Sequence, residues 1–182
     1  MGRGRKVTPY PGEPWGFDNC AYRDFTAGIS FSDAVYRKSL DLAVASGSEP
    51  YMAVLPDIVG EGLRSLDLSL RYLGEVGGSL PPWEWYLAVQ DGLEPRDIEG
   101  VPVAGVFLGG TTMYKRRASE WCNWAHSNRI RFHWGRCGTI KKLRTAKIIG
   151  ADSIDSTFPM WTSYRWDQFE KVAIDDVQGA LW

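Results

Sequence analysis

The chain has 182 residues, enough to bury the core of one domain, and its net charge of -1 favours neither an acidic nor a basic partner by itself. No apolar run approaches the roughly 20 residues of a membrane span, and no secretory leader opens the chain, so neither a membrane nor an exported protein is expected. The cysteines Cys20, Cys122 and Cys137 are odd in number and widely spaced, which speaks against both a disulfide framework and a zinc site and fits a reducing cytoplasm.

In chain order, residues 1–12 read as a flexible basic tail ahead of a single domain. Trp15-Gly16-Phe17-Asp18-Asn19 is a short apolar stretch with a polar end. Residues 31–46 carry a helical apolar pattern with Ser32 as a cap. Tyr51-Met52-Ala53-Val54-Leu55 is a strand ending at Pro56-Asp57, followed by a helix stepping through Leu63, Leu66, Leu70 and Leu73. After a Gly/Pro-rich loop at 74–82, residues 85–89 form a strand ending in Gln90-Asp91-Gly92. One helical turn near Pro95 precedes the strand 103–108 and its Gly109-Gly110 end.

A basic segment then places Trp121, Cys122 and Ala125 on one helix side. The strand 130–134 ends in Gly135-Arg136-Cys137-Gly138. Thr139 caps a helix that turns Ile140, Leu143 and Ile149 inward, and Gly150-Ala151-Asp152-Ser153-Ile154-Asp155 is a sixth strand with an acid at its end. Ser163 is expected to cap a last helix carrying Trp166, Phe169 and Ala173, with Trp166 a core or interface residue. Six strand–turn–helix units with continuously apolar strands predict an α/β fold with a parallel sheet, either a trimmed or irregular (β/α) TIM-like barrel or a doubly wound sheet.

Charge is uneven. Between residues 113 and 147 ten bases (Lys115, Arg116, Arg117, Arg129, Arg131, Arg136, Lys141, Lys142, Arg144, Lys147) face one acid, Glu120. Such a block suggests a polyanion, with Lys115, Arg116, Arg117, Lys141 and Lys142 as candidate nucleic-acid contacts; solvated helix faces balanced by nearby acids would give the same count.

The polar residues collect where strands end: Asp18, Asp57, Gln90, Gly109, Gly110, His133 and Asp155. In parallel α/β folds that edge hosts sites, because loops and helix amino termini converge there. One carboxylate can attack an anomeric carbon while a second moves a proton. Asp57 and Gln90 offer acceptor and donor groups for a purine edge, and glycines let a flat ligand approach the backbone. The residues therefore point to glycosyl chemistry on a nucleobase. His133, at a strand end, reads either as a contact to the substrate's sugar or phosphate or as a hydrogen-bonded structural histidine, and Arg136 points into the same mouth, where it could meet a phosphate. Cys137 reads as a bystander.

Leu87-Ala88-Val89-Gln90-Asp91-Gly92 resembles the Val-Gln-Gly-Gly strand of tRNA-guanine transglycosylases. Val106-Phe107-Leu108-Gly109-Gly110 resembles their base-binding turn. Gly135-Arg136-Cys137-Gly138-Thr139, followed by residues 150–159, is similar to their segment around the nucleophile. Gly16-Phe17-Asp18-Asn19 and Pro56-Asp57 fall in the order of two further motifs. The resemblance implies Asp155 as the nucleophile at C1′, Asp18 as general acid/base, and Asp57, Gln90, Gly92 and the Gly109 and Gly110 amides as readers of the base, with Asp152 supporting the turn. It implies exchange of guanine for a 7-deazaguanine such as preQ0 or preQ1, with no redox cofactor.

The sequence departs from that family at several points. Its zinc cluster is absent, so no metal is expected. Asp91 replaces the first glycine of the strand motif. Met160-Trp161 stand where an arginine follows the proline. These losses fit the small transglycosylase-like proteins of phages and bacterial islands that modify DNA, and DNA is favoured over tRNA. A homodimer or partner subunit is possible on this reading. The alternatives are an N-glycosidase that passes the sugar to water, a nucleic-acid-binding protein without activity, and a phosphate-sugar barrel enzyme.

Overall fold

In the computed structural model, residues 14–75 and 80–174 are described; the basic tail, the centre of the 74–82 loop and Trp182 lie outside them. The elements alternate as expected: β1 (Gly16–Phe17), α1 (Ala21–Thr26), α2 (Asp33–Val44), β2 (Met52–Val54), α3 (Gly62–Glu75), β3 (Trp85–Val89), β4 (Gly105–Leu108), α4 (Ala118–Ser127), β5 (Arg131–Trp134), α5 (Ile140–Ile148), β6 (Ser153–Ile154) and α6 (Ser163–Ile174), with 3-10 turns at Pro95–Ile98, Tyr114–Arg117 and Phe158–Met160. All neighbouring strands pair in parallel, in the order β1-β2-β3-β4-β5-β6. A doubly wound sheet would place later strands on the far side of β1. The consecutive order instead makes a curled half-barrel, an α/β arrangement of the trimmed (β/α)-barrel kind.

Alternation along the strands separates two cores. Phe17, Ala53, Leu55, Trp85, Leu87, Val89, Val106, Leu108, Phe132 and Trp134 face outward and pack with buried residues of α2, α3, α4 and α5. The concave face carries a smaller cluster of Met52, Val54, Tyr86 and Ala88 with Phe107. The register stacks Ala88, Phe107, His133 and Ser153 across four strands. Tyr51, just before β2, lies close enough to Ser153 of β6 and to Asp155 to interact with them, so the curl brings the two sides of the sheet within reach.

Glycines make room for the large residues inside this narrow curve. A Cβ at Gly105 would stand 2.5 Å from the buried Tyr86 ring and 2.7 Å from the Arg131 carbonyl oxygen; one at Gly135 would stand 2.6 Å from the Phe107 ring. Backbone cannot yield as a flexible side chain can. Gly105→Ala is therefore expected to lower stability by about 2 kcal/mol through overpacking, measurable as a lower urea midpoint at unchanged slope.

The helices depart from the expected faces in two places. In α3 Leu66 is buried, but Leu63 and Leu70 are exposed; Ser65, Leu68, Ser69 and Tyr72 take the inward positions instead. The serines replace apolar contact by hydrogen bonds. Ser65 Oγ accepts from Ile58 N–H (3.1 Å) and Ser69 Oγ donates to Pro56 O (2.8 Å), so α3 grips the turn that carries Asp57. In α6 Val172 is buried while Trp166 is exposed, and the cap is Thr162, whose Oγ1 accepts from Arg165 N–H at 3.1 Å; Ser163 is already the first helical residue. Thr139 caps α5 as expected, accepting from Lys142 N–H at 3.2 Å. Among the described residues no helix is long and apolar enough to cross a membrane.

Candidate active site

A cavity of about 960 Å³ opens at the carboxyl ends of the strands. Asp18, Asp57, Gln90, Gly109, Gly110, Lys115, His133, Arg136, Lys142 and Asp155 line it, and every segment from β1 to β6 contributes. Gly92 is not among its lining residues. It holds φ +92° in the turn after Gln90, a backbone state that favours glycine.

Asp155 stands directly after β6. Its Oδ1 accepts from His133 Nε2 (3.2 Å) and from Arg136 N–H (2.7 Å). The second oxygen has no protein partner among the described residues, and the side chain is 51% exposed, toward the cavity. Partial burial works to raise the carboxyl's pKa. The His133 and Arg136 hydrogen bonds, with the electrostatic pull of His133 and Lys115, outweigh it, so the group titrates below its ordinary range. Asp155 is thus an anchored carboxylate with one oxygen available for attack.

His133 is buried beneath it. The ring stacks on Phe107 (centroids 4.7 Å, planes 16° apart), and Nδ1 meets Ser153 Oγ at 2.8 Å. With both nitrogens engaged, the ring fixes the Asp155 rotamer. Arg136 holds φ +61°, rare for a side-chain-bearing residue, and this left-handed turn aims its N–H at the carboxylate. The turn is tied again by Cys137 N–H to Asp155 O (2.8 Å) and Ser156 Oγ to Cys137 O (2.8 Å). The Arg136 guanidinium lies 3.4 Å from the centroid of the Tyr22 ring. Burial and the Asp155 charge push the Cys137 thiol up to about 12, which removes it as a nucleophile at neutral pH.

Asp57 and Gln90 form a buried pair on the other side. Gln90 Nε2 donates to Asp57 Oδ2, Gly60 N–H donates to Gln90 Oε1 (3.2 Å), and Asn19 Nδ2 donates to Asp57 Oδ1 (2.5 Å) and to Leu55 O (2.6 Å). Burial raises the Asp57 carboxyl to about 7, with the Asp18 charge pushing the same way and the Asn19 and Gln90 hydrogen bonds opposing. Any side chain at position 109 would strike Gln90, so the glycine there gives this pair its space. The Gly109 N–H donates to Val89 O at 3.0 Å, which corrects the expectation that both glycine amides are open to a ligand: the Gly110 N–H is the one left.

No family model, no curated protein and no solved structure matches the chain. The site is therefore read from its own geometry. Asp18 follows β1 at the cavity edge, exposed, its Oδ1 accepting from Cys20 N–H at 3.0 Å. Among the described residues no group of three or more His, Cys, Asp or Glu is placed to hold a metal ion.

The basic block does not form one surface. Lys115 is 4% exposed and lies inside the cavity wall, its Nζ donating to Gly135 O at 2.6 Å. Arg117 is paired with Glu94 and Glu120, Arg131 with Glu84, and Lys147 with the Val172 and Ala173 carbonyls. Arg116 and Lys141 are exposed, and Lys142 lies at the cavity rim. Charge counting could not separate these cases, because burial and pairing depend on the fold.

Asn19, Ser65, Ser69 and Tyr51 were not singled out by sequence reasoning. Asn19 had a signal, its place beside Asp18 in the first strand-end motif. Asp152 ties the start of β6 to β5 and α4: its Oδ2 accepts from Phe132 N–H (2.7 Å) and contacts His126 Nε2 (3.0 Å). Asp152→Ala should cost about 1 kcal/mol of stability in a denaturant melt and leave any covalent chemistry at Asp155 intact.

Proposed function

We propose that the protein is a base-exchange glycosyltransferase that replaces guanine in nucleic acid, DNA before tRNA, by a 7-deazaguanine through a covalent aspartyl-glycosyl intermediate. The active site on this reading is the cavity at the carboxyl ends of the strands. The observation that carries it is the division of that cavity: an anchored carboxylate with one unengaged oxygen, Asp155, stands opposite a buried amide–carboxylate pair, Gln90 and Asp57, suited to a purine edge.

In the first half-reaction the Asp155 Oδ2 attacks C1′ and the C1′–N9 bond breaks. Asp18 supplies the proton to the departing guanine. In the second, Asp18 takes the proton from the N–H of the incoming base, its nitrogen attacks C1′, and the Asp155 carboxylate is released. Asp57 accepts from the base's N–H groups; Gln90 and the Gly110 N–H are at hand for its carbonyl. Arg136 and Lys142 at the rim supply charge for phosphates, and Trp161, which lines the same cavity, stands with Met160 where the transglycosylases have an arginine, which favours DNA on this reading.

The test offers guanine-containing DNA or tRNA to the protein with radiolabelled guanine. Label entering the polymer establishes exchange, and the polymer that takes it identifies the substrate. Release of guanine with no incorporation establishes the hydrolytic alternative, to which the solvent exposure of Asp155 lends some support. The absence of both incorporation and release would sink the reading.

A further inference from the structure

Among the described residues the buried polar and charged side chains are Asp57, Ser65, Ser69, Gln90, Lys115 and His133. Lys115 is the one ammonium among them. A buried ammonium is costly, and this one has a single protein hydrogen bond, to Gly135 O, which leaves two N–H groups for something in the cavity that it lines.

Its place follows from the order of the strands, given the base-exchange reading on which this inference rests. The edge of a purine carries, in sequence, N9, C8, N7, O6, N1, N2 and N3. The strand ends run β6, β5, β4, β3, β2, β1 around the cavity. Asp155, after β6, takes the sugar at N9; Gln90 and Asp57, after β3 and β2, take O6, N1 and N2. Those two anchors turn the C8–N7 side toward the ends of β5 and β4. Lys115 occupies that position, because it follows β4 and its Nζ holds the carbonyl at the end of β5.

We propose that Lys115 is a specificity-determining residue whose ammonium faces the five-membered-ring edge of the bound base, so that the site accepts a 7-deazaguanine whose C7 substituent is a hydrogen-bond acceptor, such as a nitrile, amide or carboxylate, and disfavours a cationic aminomethyl group. Guanine fits the same contact, since N7 is an acceptor. The incoming base meets a wall more cationic than the resting one. Asp155 is then an ester without charge, while Lys115, Arg136 and Lys142 remain on that side of the cavity. Asp57 keeps its place at the opposite edge. In the resting site burial and the neighbouring Arg136 lower the Lys115 ammonium to about 8, with the Asp155 charge opposing them, so there it is a cation at neutral pH.

The experiment is a competition. Guanine-containing DNA, or tRNA if that is the polymer labelled above, is incubated with equal amounts of the 7-cyano and 7-aminomethyl bases, and the incorporated nucleosides are quantified by mass spectrometry after digestion. The wild type should favour the cyano base by at least about tenfold, and Lys115→Met should reduce that ratio by about tenfold, the scale of one hydrogen bond to a charged group. Lys115→Gln keeps a donor for Gly135 O without the charge, and must move the ratio the same way; it serves where the methionine variant does not fold. A wild type that prefers the aminomethyl base, or a ratio unmoved in a folded variant, overturns the inference. Labelled-guanine exchange run in parallel separates the cases: if it succeeds while the preference fails, only the role of Lys115 falls, and if it fails, the base-exchange reading falls and this inference with it.

Discussion

Asp155→Asn is expected to reduce exchange by at least about a thousandfold and to abolish any covalent protein–nucleic-acid adduct on a denaturing gel, while the fold survives. The asparagine oxygen can still accept from His133 and from the Arg136 N–H, so the turn that positions residue 155 keeps its partners. What is lost is the anionic oxygen, and an amide does not displace a purine. The stability change should be small, within about 1 kcal/mol, because the carboxylate is half-exposed and its interactions are screened. Its pH dependence has a defined sign. The folded state holds this carboxyl below its ordinary range, so the contribution is present above about pH 4 and fades as the pH falls through the folded value. Wild type and variant should therefore converge in acid. An adduct that persists in Asp155→Asn, or one that disappears in Asp152→Ala instead, would move the nucleophile elsewhere.

The parts of the molecule legible in the sequence were those governed by local rules. Residues 85–89 read as a strand because a continuous apolar run is what a strand covered on both sides requires, and Thr139 read as a cap because its hydroxyl can serve an amide three residues on. The acids and Gln90 at strand ends were visible because parallel topology sends every such end to one edge. What was hidden depends on contacts between distant segments. Ser65 and Ser69 break the apolar stripe of α3, and only the turn at residues 56–58 explains them. Lys115 looked like one charge in a basic block until the fold put Gly135 against it. Trp166 reads from its type as a core or interface residue; α6 buries Val172 and leaves that ring exposed, which rules out only the core.

Asp57 is expected to set stability and base binding against each other as the pH changes. Its carboxyl is buried, and its folded-state pKa is raised to about 7, chiefly by desolvation. Between the unfolded value near 4 and about 7 the folded state binds the extra proton, so stability rises as the pH falls through that window. The linkage is on the order of 2 to 3 kcal/mol between pH 7.5 and pH 5, and it should show as a higher urea midpoint at the lower pH. The neighbouring charges are Asp18, which raises this pKa, and Lys115, which lowers it; Lys115 itself titrates near 8, outside the window. Base recognition runs the other way. A carboxylate can accept from both N1–H and N2–H of guanine, whereas the protonated acid loses acceptor capacity, so the KM for the free base should rise as the pH falls from 7.5 to 5.5. Asp57→Asn should flatten the stability slope and lower kcat/KM about a hundredfold, the scale of a lost charged hydrogen bond. It gains little stability at pH 7.5, because Asn19 and Gln90 both donate to this residue and the new amide turns an N–H toward one of them. A carboxylate that weakens the resting protein yet is required for binding is what a site residue should look like; if stability and base affinity instead fell together with pH, Asp57 would be a structural acid and the purine edge would have to be read by other groups.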